Sequence, residues 1–137
     1  MRKGGVDMAT YFGTSINDSP TITLPAKEKI ENAQGIALAV SNGELTKPTA
    51  GANVIGIALL TNDEIVSAGY DITVQIKEIG KWTAGEAFEI GDELTTNAEG
   101  KAVKATTGNF ITAIALTNAT ADGDIVNVQI IKAGYKS

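Results

Sequence analysis

Along residues 70–76, YDITVQI, polar and apolar side chains alternate. Tyr70, Ile72, Val74 and Ile76 fall on one side of an extended chain, with Asp71, Thr73 and Gln75 on the other. The order returns at 125–131, where Val126, Val128 and Ile130 take the matching places. Ile125 and Ile131 break the alternation there, which predicts a more central strand covered on both faces. Whole phrases return as well: IALLTND from Ile57 and IALTNAT from Ile114, GYDITVQI from Gly69 and GDIVNVQI from Gly123. Residues 35–80 therefore pair with 91–134 as two pseudo-repeats of about 45 residues. Each runs through a strand, a turn with glycine, a short polar strand, a loop, an apolar strand, a second loop and a long last strand.

The turns are legible too. Asn42-Gly43 separates IALAV from ELTK, and Asn-Gly readily takes the positive φ angles of a two-residue hairpin. NAEG at 97–100 predicts a slightly longer hairpin closed by Gly100. Roughly eight to ten short strands at this spacing predict an all-β fold, a compact antiparallel barrel or sandwich in which two copies close over each other. Only 26–34, AKEKIENAQ, has the composition of a helix, bounded by Pro25 and Gly35, and it predicts at most two turns.

Residues 8–25, MATYFGTSINDSPTITLP, have no partner in the repeat. They mix polar positions with Tyr11, Phe12, Ile16, Ile22 and Leu24, more apolar side chains than a solvating tail needs. The sequence thus divides into an extended N-terminal arm, 1–27, able to reach past its own subunit and order on binding, and a β-rich domain, 28–137. Met8 reads as an independent start, and residues 1–7 as an upstream extension or a cloning scar.

Composition narrows what such a body could do. A chain of 137 residues is one domain's worth, and 43% hydrophobic with 20% charged residues is a globular balance. The formal net charge of −5, with no Lys/Arg cluster, predicts no nucleic-acid partner. No apolar run approaches a membrane span and the N-terminus lacks a signal pattern, so a soluble protein made in the cytoplasm, with no membrane partner, is expected. Zero cysteines remove disulfides and thiolate chemistry, and zero histidines the commonest general base.

The chemistry that remains is thin. In GEAFEIGDE, Glu86 and Glu89 have opposite strand parity, and Asp92-Glu93 sit at a turn, which predicts a charged, solvated edge in place of an acid/base pair. ADGD at 121–124 lacks calcium-loop spacing and reads as a turn. NAT at 118–120 fits a glycosylation pattern without a route to a glycosylating compartment. No catalytic residue, metal site or cofactor is predicted. Trp82, the single tryptophan, stands at the junction of the copies, where it could plug the seam, anchor an interface or offer a sugar-stacking platform.

The succession GKWTAGEAFEIGDELTTNAEGKAVKATTGNFITAIALTNATADGDIVNVQI resembles the capsid cement, or head decoration, proteins of tailed bacteriophages. The family phrases fall at Gly85 to Leu94, Asn97 to Thr106, Ile111 to Leu116 and Ile125 to Ile130, within a likeness over about 35–134. One departs from pattern: Gly56 keeps the family's "GvA" glycine, whereas Thr112 or Ala113 stands near it in the second copy. The resemblance implies a β-rich, non-enzymatic protein that binds the outer surface of an expanded head, often as a homotrimer, and clamps neighbouring major capsid proteins. Tyr11, Phe12, Ile16, Ile22, Leu24 and Trp82 are then the candidate capsid or subunit contacts. A carbohydrate-binding or host-adhesion module on the virion is the alternative, and a small enzyme using Glu86, Glu89 or Asp92 a third class.

Overall fold

Extended segments that alternate apolar and polar residues must bury one face, and in this chain they do so twice over. The computed structural model describes residues 19–59 and 65–137. The first five strands are β1 (Thr21–Pro25), β2 (Ala37–Ser41), β3 (Glu44–Thr46), β4 (Gly56–Ala58) and β5 (Asp71–Gln75). The next five are β6 (Glu78–Thr83), β7 (Glu93–Thr96), β8 (Ala102–Lys104), β9 (Phe110–Ala115) and β10 (Ile125–Tyr135). They make two antiparallel five-stranded sheets, ordered β1-β5-β4-β2-β3 and β6-β10-β9-β7-β8, so that each strand of the first has its counterpart five places on. The fold is all-β and sandwich-like. Neither sheet closes, although a single parallel bridge joins the ends of each: Ala26 to Leu45 in the first, Ala84 to Ala102 in the second.

The register proves the repeat residue by residue. Leu24 faces Ile72 as Trp82 faces Val126, Leu38 faces Gly56 as Leu94 faces Ala113, and Ala58 faces Val74 as Ala115 faces Val128. The repeat therefore starts earlier than its sequence signature. Residues 21–25, which sequence reading gives to the arm, form β1, the counterpart of β6. β5 and β10 hold equal places in their sheets, and Ile125 is 69% exposed, so the doubly covered central strand expected at β10 is not found.

The helix expected at 26–34 is absent. Ala26 N–H donates to Tyr70 O, Lys27 N–H to Leu45 O, and Ile30 exchanges both backbone hydrogen bonds with Val66. Positive φ at Asn32 and Gly35 interrupts any helical run. Sheet pairing and the burial of Ile30 and Ala33 override a helical composition. At Asn42-Gly43 the angles are +52° and +80°, as a two-residue hairpin requires.

Each unit wraps its own core. The first gathers Ala26, Ile30, Leu38, Leu45, Ile72 and Val74. The second gathers their counterparts Ala84, Phe88, Leu94, Ala102, Val126 and Val128, and also takes in Ala37, Val54 and Ile57 from unit 1. The exchanges conserve volume: Trp82 replaces Leu24 and Phe88 replaces Ile30, while Ala102 replaces Leu45 and Ala119 replaces Val66.

Candidate functional site

The acidic stretch is spent on local structure. Glu86 Oε2 accepts the Lys104 backbone N–H at 2.9 Å, Asp92 Oδ2 accepts that of Glu89 at 2.9 Å, and Glu93 pairs with Lys136. Glu89 and Asp92 line a shallow open cleft of about 560 Å³ with Phe88, Lys104 and Asn118. Nothing converges there, because each carboxylate but Glu89 already holds a backbone amide or a lysine.

ADGD folds as a turn, closed by its last residue. Asp124 Oδ2 accepts the Thr120 N–H and hydroxyl, each at 2.8 Å, and the Ala121 N–H at 3.2 Å. The backbone and side-chain hydrogen bonds from Thr120 hold this carboxyl below its ordinary value of 3.8 against the opposing effect of burial, with a lesser contribution from the Ala121 N–H. Asp122 instead pairs with Lys101 at 3.0 Å. Among the described residues no group of three or more acidic, His or Cys side chains could hold a metal ion.

Trp82 is 0% exposed. Its side chain fills the seam between the units, and its indole N–H donates to Gly100 O at 2.8 Å. Backbone bonds run across the same seam: Thr83 N–H to Gly35 O at 2.9 Å, Ala37 N–H to Gly100 O at 2.7 Å, Gly51 N–H to Thr96 O at 2.8 Å and Phe110 N–H to Gly51 O at 2.9 Å. A buried indole presents no face for a sugar to stack on. At the surface above it lies a groove of about 250 Å³, lined by Gly35, Leu59, Lys81 and Ile125 among others.

Of the apolar residues predicted to make contacts, Ile22 and Leu24 lie on β1, half-buried against the first core, not on a free arm. Tyr11, Phe12 and Ile16 lie outside the described residues. The structure adds a set that strand parity alone does not single out, namely Ile79 (64% exposed), Ile125 (69%), Ile90 (64%), Tyr70 (69%) and Tyr135 (67%). Ile79 and Ile125 stand on the paired strands β6 and β10, facing away from the core that Trp82, Val126 and Val128 fill. Ile125 breaks the alternation of its strand, and sequence reading took that break, with the one at Ile131, for burial on both faces.

Comparison with known proteins places this body. A comparison with curated protein sequences found no match. Among solved structures, the N base of head fiber gp8.5 of bacteriophage phi29 is similar in fold, with a TM-score of 0.66 and 22% identity over 85% of this chain and 98% of that one. The family model for phage cement protein matches residues 15–130, nearly all of the two-unit body with the segment before β1. With the match spanning most of its length, the chain belongs to the phage cement protein family and has a structural, capsid-associated role.

Proposed function

We propose that this protein cements the expanded phage head from outside: it binds the outer capsid surface as a homotrimer and ties neighbouring major capsid proteins together. The family match over 15–130 carries this reading. The shape of the body supports it. Two units joined by backbone hydrogen bonds and a common core form a stiff block, and its outward strand faces carry isolated apolar anchors such as Ile79 and Ile125. Anchors of this kind suit many modest contacts repeated over a lattice, where multivalency supplies the holding strength. The segment before β1, with Tyr11, Phe12 and Ile16, reaches to the capsid. At the Trp82 seam the contacts come from the groove above it, through Leu59, Lys81 and Ile125. A net charge of −5 keeps the protein from competing for packaged nucleic acid.

Co-sedimentation tests this directly. Purified protein mixed with expanded, undecorated heads pellets with them at saturable stoichiometry, and raises the temperature at which heads release DNA. Protein that stays in the supernatant at every concentration overturns the proposal.

A further inference from the structure

The seam inside the chain is one-sided. Unit 1 offers the entry to β2 and the outer side of β4, with Gly35, Ala37, Gly51 and Ile57. Unit 2 offers the β7–β8 hairpin and the end of β6, with Gly100, Thr96 and Trp82. Because both units have one topology, each carries both kinds of surface, and one of each is used. The register fixes what stands at the unused ones. On unit 2, Glu93 and Ile114 occupy the places of Ala37 and Ile57, and on unit 1, Val40 occupies that of Thr96. Gly43 and Gly100 both end their hairpin turns with positive φ.

Among the described residues, nothing covers either unused surface in full. Where unit 1 receives Gly100, unit 2 has a cleft of about 430 Å³, walled by Gly91, Asp92, Glu93, Lys104, Ile114 and Lys136. Val40 is 43% exposed, whereas Thr96 is 0% exposed. A Cβ at Gly100 would lie 2.7 Å from Ala37 O, whereas nothing among the described residues lies within 4 Å of one at Gly43. Lys136, just after β10, edges the cleft and already fills one place of the seam: its O accepts the Gly108 N–H at 2.8 Å, as Thr96 O accepts that of Gly51.

We infer that the occupant is a second copy of this chain, whose β2–β3 hairpin, Val40 to Glu44, enters the Gly91–Glu93 cleft of the next. The internal seam shows what such a cleft receives: a glycine-closed hairpin between the second and third strands of a unit. Glu44 then arrives beside Asp92, as its counterpart Lys101 lies beside Ile36, in a cleft that also carries Lys104 and Lys136. A contact of this kind joins unlike surfaces, so successive copies turn in one sense and make a ring if the rotation closes; the homotrimer proposed above supplies that closure. Three chains of two units would hold six alike seams, three within chains and three between them. This names the interface of the homotrimer proposed above and does not depend on capsid binding.

The absence of native cysteine makes the test clean. Full-length Glu44→Cys and Asp92→Cys proteins are mixed and oxidised. A disulfide-linked dimer of the two forms in several-fold excess over either variant alone and over a Tyr70→Cys/Asp92→Cys mixture, and the double variant gives a covalent three-chain ring. Cross-linking no better than these controls overturns the inference. Light scattering provides the second measurement: the wild type is a trimer, and Val40→Lys is a folded monomer whose melting temperature, unlike the wild type's, does not rise with protein concentration. A wild-type monomer, or a Val40→Lys trimer, also overturns it. Co-sedimentation with heads is read separately, so a failure there removes capsid binding and leaves the seam standing.

Discussion

The indole N–H of Trp82 and the amide N–H of Ala37 converge on the same Gly100 oxygen, at 2.8 Å and 2.7 Å. One carbonyl in unit 2 thus holds its own unit's largest side chain and the first strand residue of unit 1's β2. Trp82→Ala removes the core filler and one of these bonds, and a loss of about 3–5 kcal/mol is expected in chemical denaturation. Trp82→Phe keeps most of the volume and leaves the Ala37 bond in place, so it costs less than the alanine variant. Equal losses for the two would show that the indole does not fill the seam.

Gly56 and Ala113 hold the same place in their units, facing Leu38 and Leu94. A Cβ on Gly56 would lie 2.2 Å from the Gln75 backbone oxygen, a contact that backbone cannot easily yield. Gly56→Ala is expected to cost at least about 1–3 kcal/mol, as overpacking does. Ala113→Gly, which adds only chain entropy and a small void, costs about 1 kcal/mol. Urea melts of the two variants check the order, and reversing it would refute the close approach at Gly56.

The shared phrase VQI hides a division of labour. Gln75 is 9% exposed, and its amide donates to Lys77 O and Ile79 O, each at 2.9 Å, fastening the turn that leads into unit 2. Its counterpart Gln129 is exposed. Gln75→Leu is expected to lose about 1–3 kcal/mol by stripping two carbonyls of their donor, and Gln129→Leu less than about 0.5 kcal/mol. Thermal melts of the pair measure the contrast.

Asp124 supplies a pH test. Hydrogen bonds from Thr120 and Ala121 depress its folded-state value below 3.8, so its contribution is fully present above the unfolded-state value and fades as pH falls through the folded one. The melting temperature of Asp124→Ala is expected to lie below that of the wild type at neutral pH, and the gap to narrow in strong acid. A gap unchanged down to the lowest measurable pH would show that the carboxylate charge is not what closes the turn.

Residues 70–76 and 125–130 announced their strands because alternation is a local property, and Asn42-Gly43 its turn because positive φ has few hosts. The limits of the repeat were not legible in the same way. β1 and β6 pair with equivalent partners, yet TITLP and IGKWT share no pattern, since Trp82 can replace Leu24 once Ala102 replaces Leu45. AKEKIENAQ misled for a related reason: its helical composition lies on exposed positions, whereas Ile30 and Val66 pair across a loop that no local window spans. Trp82 stood out by rarity. The hairpin at Gly43 and the Gly91–Glu93 cleft did not, because only the internal seam shows what their counterparts hold.

The segment before β1 gives the sharpest test of capsid attachment. The described chain begins at Ser19, and β1 pairs with β5 from Thr21 to Pro25, so a cut before Ser19 leaves the first sheet whole. A protein lacking residues 1–18 is therefore expected to melt within a degree or two of the full chain, yet to lose most of its co-sedimentation with expanded heads. A cut after Pro25 instead removes an edge strand, strips Ile22 and Leu24 from the first core and lowers stability by several kcal/mol. Comparing the two separates attachment from folding. If the shorter deletion binds heads as tightly as the full chain, the capsid contacts lie on the β-body, and the exposed pair Ile79 and Ile125 becomes the next site to change.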